Sequence, residues 1–191
     1  MPNFPAPIDS RLPWVGTTIF TVMSRLAAQH GAINLSQGFP DFSAPPALFE
    51  LVAKHMHAGA NQYALMAGAT PLREAIAEKV AALYGLTYDV EQEITVTAGA
   101  TQAIFTAVAA LVRPGDEVIV FEPVYDSYVP SIELNGGSAV PCRLTFADYR
   151  PDWEEVRARI TPRTRMIIIN SPHNPSGAVW TAGDMRALEQ L

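Results

Sequence analysis

From Glu93 to Leu191, short apolar runs alternate with longer helix-like stretches, and this alternation constrains the fold more than any other feature of the chain. "EITVTAG", "DEVIVFEP", "SAVPCRL" and "RMIIIN" read as strands rich in Val and Ile. Between them, "TQAIFTAVAALV", "YDSYVPSIELNGG" and "PDWEEVRARI" read as helices, with a turn at Pro114-Gly115. Strands that return only after a helix must pair in parallel. The expected class is therefore α/β, a three-layer arrangement with a mostly parallel sheet flanked by helices. A last helix starts in "TAGDMRALEQL", capped at Thr181 or Asp184.

The first part of the chain has a different texture. Residues 1–44 are dotted with proline and read as an N-terminal arm holding one helix, at about residues 17–29. A helix follows Pro45-Pro46, with Leu48, Leu51, Val52 and Met56 along one face and Gly59 past its end. Another fills "ATPLREAIAEKVAALYG": Thr70 can cap it, Pro71 suits its first turn, and Gly85 stops it. Its apolar stripe is Leu72, Ile76, Val80 and Leu83. The division expected is an arm at 1–44 and the first part of a larger α/β domain at 45–191. The sheet implied by these strands is open-edged and incompletely covered, so the chain reads as the front portion of something larger.

Composition removes several function classes. Hydrophobic residues make up 49% and charged residues 17%, a globular balance. The net charge of −6, with 13 scattered basic residues, speaks against nucleic-acid phosphate as a partner. Cys142 is the only cysteine, which excludes an intrachain disulfide and a thiolate metal cage, and the four histidines lack metalloprotease spacing. No metal is expected. The N-terminus carries no signal-peptide core and no apolar stretch reaches membrane-spanning length, so the expected location is cytoplasmic and not at a membrane.

Three strand ends carry candidate chemistry. In "VTAGATQAIF" the strand runs into Ala98-Gly99-Ala100 and then a helix starting near Thr101. Small residues admit a ligand close to the backbone, and free N–H groups at a helix start favour an anion, so this is a candidate phosphate cup. Close helix–strand packing would call for the same small residues. "FEPVYDSY" places Tyr125 and Tyr128 beyond the next strand, either as an aromatic plate for a flat ligand or as core residues. "NSPHNPSGA" ends the most apolar run with a stiff polar loop, because Pro172 and Pro175 cannot donate to a sheet ladder. Asn174 there is an amide donor or simply a turn residue. A flat, phosphorylated, phenol-bearing ring would satisfy cup, plate and amide together, and pyridoxal 5′-phosphate is such a molecule.

In order, "NLSQGFPDF", "NQYALMAGATPLREAIA", "TVTAGATQAIF", "GDEVIVFEPVYDSY" and "NSPHNPSG" resemble class I/II aminotransferases of fold type I, from about Ile33 onward. Within them, "LSQGFPDF", "NQYA" and "YDSY" look most like the methionine aminotransferase and kynurenine/glutamine transaminase group. The resemblance implies that Gly99, Ala100 and Thr101 hold the cofactor phosphate, that Tyr125 stacks on the pyridine ring, and that Asn174 donates to its O3′ oxygen. It gives Tyr63 the partner subunit's cofactor phosphate, and hence implies a homodimer. It makes Gly38 a backbone donor to the substrate carboxylate, with Trp14 and Tyr128 lining the substrate pocket. The activity implied is transfer of an amino group from methionine, glutamine or aromatic amino acids to a 2-oxo acid. A cysteine-conjugate β-lyase of the same fold and a non-catalytic PLP- or phosphate-binding module are the alternatives. The Schiff-base lysine, the pyridinium aspartate and the carboxylate arginine follow the N-P-x-G loop in that family. Here the lysines are Lys54 and Lys79, both on helices, so no catalytic lysine is assigned and the 191 residues alone are expected to be inactive.

Overall fold

The computed structural model describes residues 9–38 and 40–191. Residues 1–8 of the arm, and Phe39 within the L-S-Q-G-F-P-D-F run, lie outside the described residues. The described chain forms two compact units, one of residues 16–97 and one of residues 9–15 with 98–191.

The 16–97 unit holds α1 (Ile19–His30), α2 (Pro46–His57) and α3 (Thr70–Tyr84). Each boundary has a local cause. The Thr18 hydroxyl accepts from Thr21 N–H to start α1, and Gly31 closes it in the left-handed region. Pro46 opens α2, and Gly85 ends α3 at φ +66°. Thr70 does not cap α3. Ala69 is the N-cap, and the Thr70 hydroxyl instead accepts from Arg73 Nη2 at 3.3 Å. The expected stripe of α2 stays exposed, as do Leu72 and Leu83 at the ends of the α3 stripe.

The expected strand at 93–99 is absent. Val96 N–H donates to Ala67 O at 2.9 Å, but no ladder forms along this run among the described residues. A strand exists only with a partner, and apolar composition alone cannot supply one.

The second unit carries the parallel sheet. Its elements are α4 (Ala100–Leu111), β1 (Glu117–Glu122), α5 (Tyr128–Leu134), β2 (Ser138–Arg143), α6 (Trp153–Arg159), β3 (Thr164–Ile167) and α7 (Ala182–Glu189). The strand order is β2-β1-β3, all parallel, with Glu117 opposite both Ser138 and Thr164. β1 is central and its side chains divide by the strand period of two. Val118 and Val120 pack with Val108, Val112, Tyr128 and Ile132. Ile119 and Phe121 pack with Cys142, Leu144, Val156 and Trp180 on the other face. Helices thus cover both faces, α4 and α5 on one and α6 on the other. Pro141 is tolerated because β2 is an edge strand. No helix among the described residues is long and apolar enough to cross a membrane.

Candidate active site

The chain reverses its winding at β1: β2 lies on one side and β3 on the other. In open α/β sheets ligands bind at such a switch point, beyond the carboxyl ends of the strands. A cavity of about 480 Å³ is lined there by Gly99, Ala100 and Thr101 from the start of α4, Tyr125 and Tyr128 after β1, and Asn174 after β3. Its volume lies within the usual range for small-molecule sites.

The start of α4 is shaped by Gly99. Its φ of +88° and ψ of 164° fall in a region that only glycine enters cheaply, although a Cβ there would meet open space. No side chain caps the helix, so its first turn presents backbone N–H groups and the positive end of the dipole. Gln102, which the sequence reading passed over, folds back so that its Oε1 accepts from Ala98 N–H at 2.6 Å. Glutamine at the third helical position can reach back past the helix start, which was the available signal, although Gly99 at the N-cap forms no capping box.

Tyr125 and Tyr128 meet edge to face, with ring centroids 5.7 Å apart and planes at 71°. Burial pushes the Tyr128 phenol above its ordinary value and Tyr125 adds to the effect, so Tyr128 stays a neutral hydroxyl. The two tyrosines therefore divide the roles left open by sequence. Tyr128 is buried in the core cluster while also touching the cavity, and Tyr125 is partly exposed beside it.

The Asn-Pro loop is built from beneath by His173. Its ring is buried, stacks on Trp180 with planes 11° apart, and lies 2.8 Å from Ser176 Oγ through Nδ1. Burial holds its pKa below the ordinary histidine value, against an opposing hydrogen bond to the Phe121 backbone. His173 N–H donates to Ala178 O, Gly177 N–H donates to His173 O, and Ser171 Oγ accepts from Trp180 N–H. This web leaves Asn174 exposed at the cavity. Asn170 also lines the cavity and had not been singled out. Its place at the same strand end as Asn174 was the available signal.

Gly38 and Tyr63 belong to the 16–97 unit, and Tyr63, expected at a partner's cofactor phosphate, is fully exposed. Trp14 donates from Nε1 to Glu133 Oε2 at 2.9 Å, while Arg11 Nη2 donates to Leu134 O, which docks residues 11–14 on the end of α5. Lys54 and Lys79 are exposed on α2 and α3.

A helix start with no side-chain cap, an aromatic ring and an amide gathered around one cavity at a parallel-sheet switch point define a class: an α/β domain with a small-molecule-sized cavity beyond its strand ends. Comparison with known proteins supplies the family. Residues 30–191 match the family aminotransferase class I and II, and the chain belongs to it. Members of this family generally depend on pyridoxal phosphate. The chain is 55% identical to the methionine aminotransferase of Escherichia coli, covering all of this chain and 49% of that protein. It is 45% identical to a probable N-succinyldiaminopimelate aminotransferase of Mycobacterium tuberculosis, over 95% of this chain and 46% of the relative. The solved structure of an Escherichia coli protein with a methionine aminotransferase function superposes with a TM-score of 0.94 at 55% identity, over 97% of this chain and 49% of that one. The Mycobacterium tuberculosis N-succinyldiaminopimelate aminotransferase structure gives 0.90 at 44% identity, over 96% and 48%. The chain spans about half the length of the curated relatives it matches.

Proposed function

We propose that these residues form the N-terminal half of a cytoplasmic, homodimeric aminotransferase that takes methionine, glutamine or aromatic amino acids as donors and a 2-oxo acid as acceptor. Residues 1–44 are its arm and 45–191 the first part of its cofactor-binding large domain. The observation that carries the reading is the gathering of the α4 start, Tyr125 and Asn174 around one cavity. That donor set fits pyridoxal 5′-phosphate, because an uncapped helix start suits a phosphate, a tyrosine face suits a pyridine ring, and an amide N–H suits a phenolate oxygen.

Gly99, Ala100 and Thr101 would hold the phosphate, Tyr125 would cover one ring face, and Asn174 would donate to the ring oxygen. When bound, the cofactor supplies the electron sink that allows the α-proton of the amino acid to leave. Gly38 would present its backbone N–H to the substrate carboxylate. Tyr128, kept neutral by burial, and Trp14 would bound the substrate pocket. Tyr63 would donate its hydroxyl to the phosphate bound by a second copy of the chain. Lys54 and Lys79 take no part; the amine that holds the cofactor is assigned to the half of the protein outside these residues.

The full-length protein tests this directly. Purified with pyridoxal phosphate, it should show a visible absorbance band that methionine bleaches, with release of the matching 2-oxo acid. A band unchanged by methionine, glutamine and phenylalanine alike overturns the reading.

A further inference from the structure

Arg73 is the largest fully buried side chain among the described residues, 1% exposed on α3, a position where an amphipathic helix would ordinarily carry a solvated arginine. Its guanidinium is divided among backbone and side-chain acceptors from both sides of the helix. Nε donates to Gly68 O at 3.2 Å, Nη1 to Val90 O at 2.5 Å, and Nη2 to Thr70 Oγ1 at 3.3 Å and to the Glu91 carboxylate. Glu91 itself is 69% exposed, so the ion pair is a minor part of what holds this charge. Burying a charge is costly, and an apolar residue would suit a merely packed position better. What an arginine adds is a rigid fork that fixes several acceptors at once.

One of those acceptors, Gly68, belongs to the loop between α2 and α3. Gly68 ends the segment between α2 and α3, at φ +104°, and a Cβ there would lie 2.7 Å from Val96 Cβ. The opposite end is tied to α2, where Asn61 Nδ2 donates to Met56 O at 2.9 Å and Ala60 N–H to His55 O at 3.0 Å. Between the two pinned ends, Tyr63 and Met66 stand fully exposed, each at 102%. A loop anchored so firmly, yet burying none of Tyr63, Leu65 and Met66, is built to present them.

We propose that Arg73 is a positioning residue, whose fork fixes the Gly68 end of this loop and so sets the point from which Tyr63 reaches the cofactor phosphate of a second copy. The proposal rests on the reading of Tyr63 given above. Its test is a double-mutant cycle in the full-length dimer, reading the dissociation constant of pyridoxal phosphate from titration of the apoprotein, with the thermal midpoint of the apoprotein measured alongside. Tyr63→Phe should weaken binding on the order of tenfold, the loss of one charge-assisted hydrogen bond. Arg73→Lys, which keeps the charge and loses the fork, should weaken it by a similar factor. The double variant should be no weaker than either single one. Additive losses overturn the proposal, as does an Arg73→Lys protein that melts earlier yet binds cofactor like the wild type. An unchanged Tyr63→Phe protein instead overturns the Tyr63 reading itself, and the positioning role falls with it. If Arg73→Lys does not fold, Thr70→Val, which removes one acceptor of the fork, should give a smaller loss that vanishes in the Tyr63→Phe background. A loss that persists there overturns the proposal.

Discussion

At Gly99 the backbone conformation, rather than lack of room, sets the residue, since a Cβ would meet nothing within 4 Å while φ stands at +88°. Replacing Gly99 by Ala should therefore cost roughly 1–3 kcal/mol of stability, or else turn the first N–H groups of α4 away from the cavity. Denaturant unfolding of the full-length protein, with cofactor affinity measured in parallel, reads both effects; a variant unchanged in each contradicts this account of the helix start. His173 gives a prediction about pH. Burial holds its folded pKa below the ordinary 6.5, so the ring is neutral in the native loop and the unfolded chain takes up the proton first. Its contribution is thus fully present above about pH 6.5, declines as pH falls below that, and levels off below the folded value. His173→Gln should flatten the dependence of unfolding free energy on pH between about pH 7 and pH 5, and an unaltered slope would show that the ring titrates as it does in the unfolded chain.

Among the elements, α7 shows local chemistry acting across a packing contact. The Thr181 hydroxyl accepts from Asp184 N–H, and Asp184 Oδ2 accepts in turn from Thr181 N–H at 2.6 Å, a complete capping box. Asp184 also takes Trp153 Nε1 of α6 and Arg150 Nη1, joining the two helices. Burial alone would raise the Asp184 pKa. The Thr181 hydroxyl and N–H, Trp153 and Arg150 together outweigh it and hold the carboxyl below its ordinary 3.8. A depressed carboxylate stabilises the fold above that value and loses its contribution as pH falls toward the folded pKa. Asp184→Asn should therefore destabilise by about 1 kcal/mol near neutral pH, and the gap from the wild type should shrink in acid.

This cap was legible in the sequence because its donors and acceptors lie three residues apart. The Gly85 stop of α3 and the apolar run of β1 were legible because they too are local features. The 93–99 strand was misread because pairing is non-local and composition does not report a partner. Buried Arg73 was missed because its acceptors, Gly68 and Val90, are unremarkable until α3 brings them together. At the site, Asn174 and Tyr125 could be picked out at strand ends, whereas the latching of Trp14 to Glu133 across 119 positions could not.

On the scale of the whole molecule, the question is what half the length of the relatives can do by itself. The sheet is bounded by β2 and β3, and large apolar side chains such as Leu48, Phe49 and Phe146 are exposed at 52%, 57% and 85%. Unpaired strand edges and apolar faces of this kind favour association with other chains over an isolated folded state. The lining of the proposed cofactor cavity includes no lysine, and Lys54 and Lys79 stand exposed on α2 and α3. A positioned proton-transfer group is worth roughly 10²- to 10⁴-fold in rate, and the covalent role of an amine is additional. A polypeptide of residues 1–191 alone should therefore show no transamination of methionine or phenylalanine with 2-oxo acids, whereas the full-length protein is expected to. Borohydride reduction in the presence of pyridoxal phosphate should label neither Lys54 nor Lys79 stoichiometrically. Turnover by the short polypeptide, accompanied by stoichiometric labelling of either lysine, would move the cofactor amine into the helices of the 16–97 unit and require a different active site.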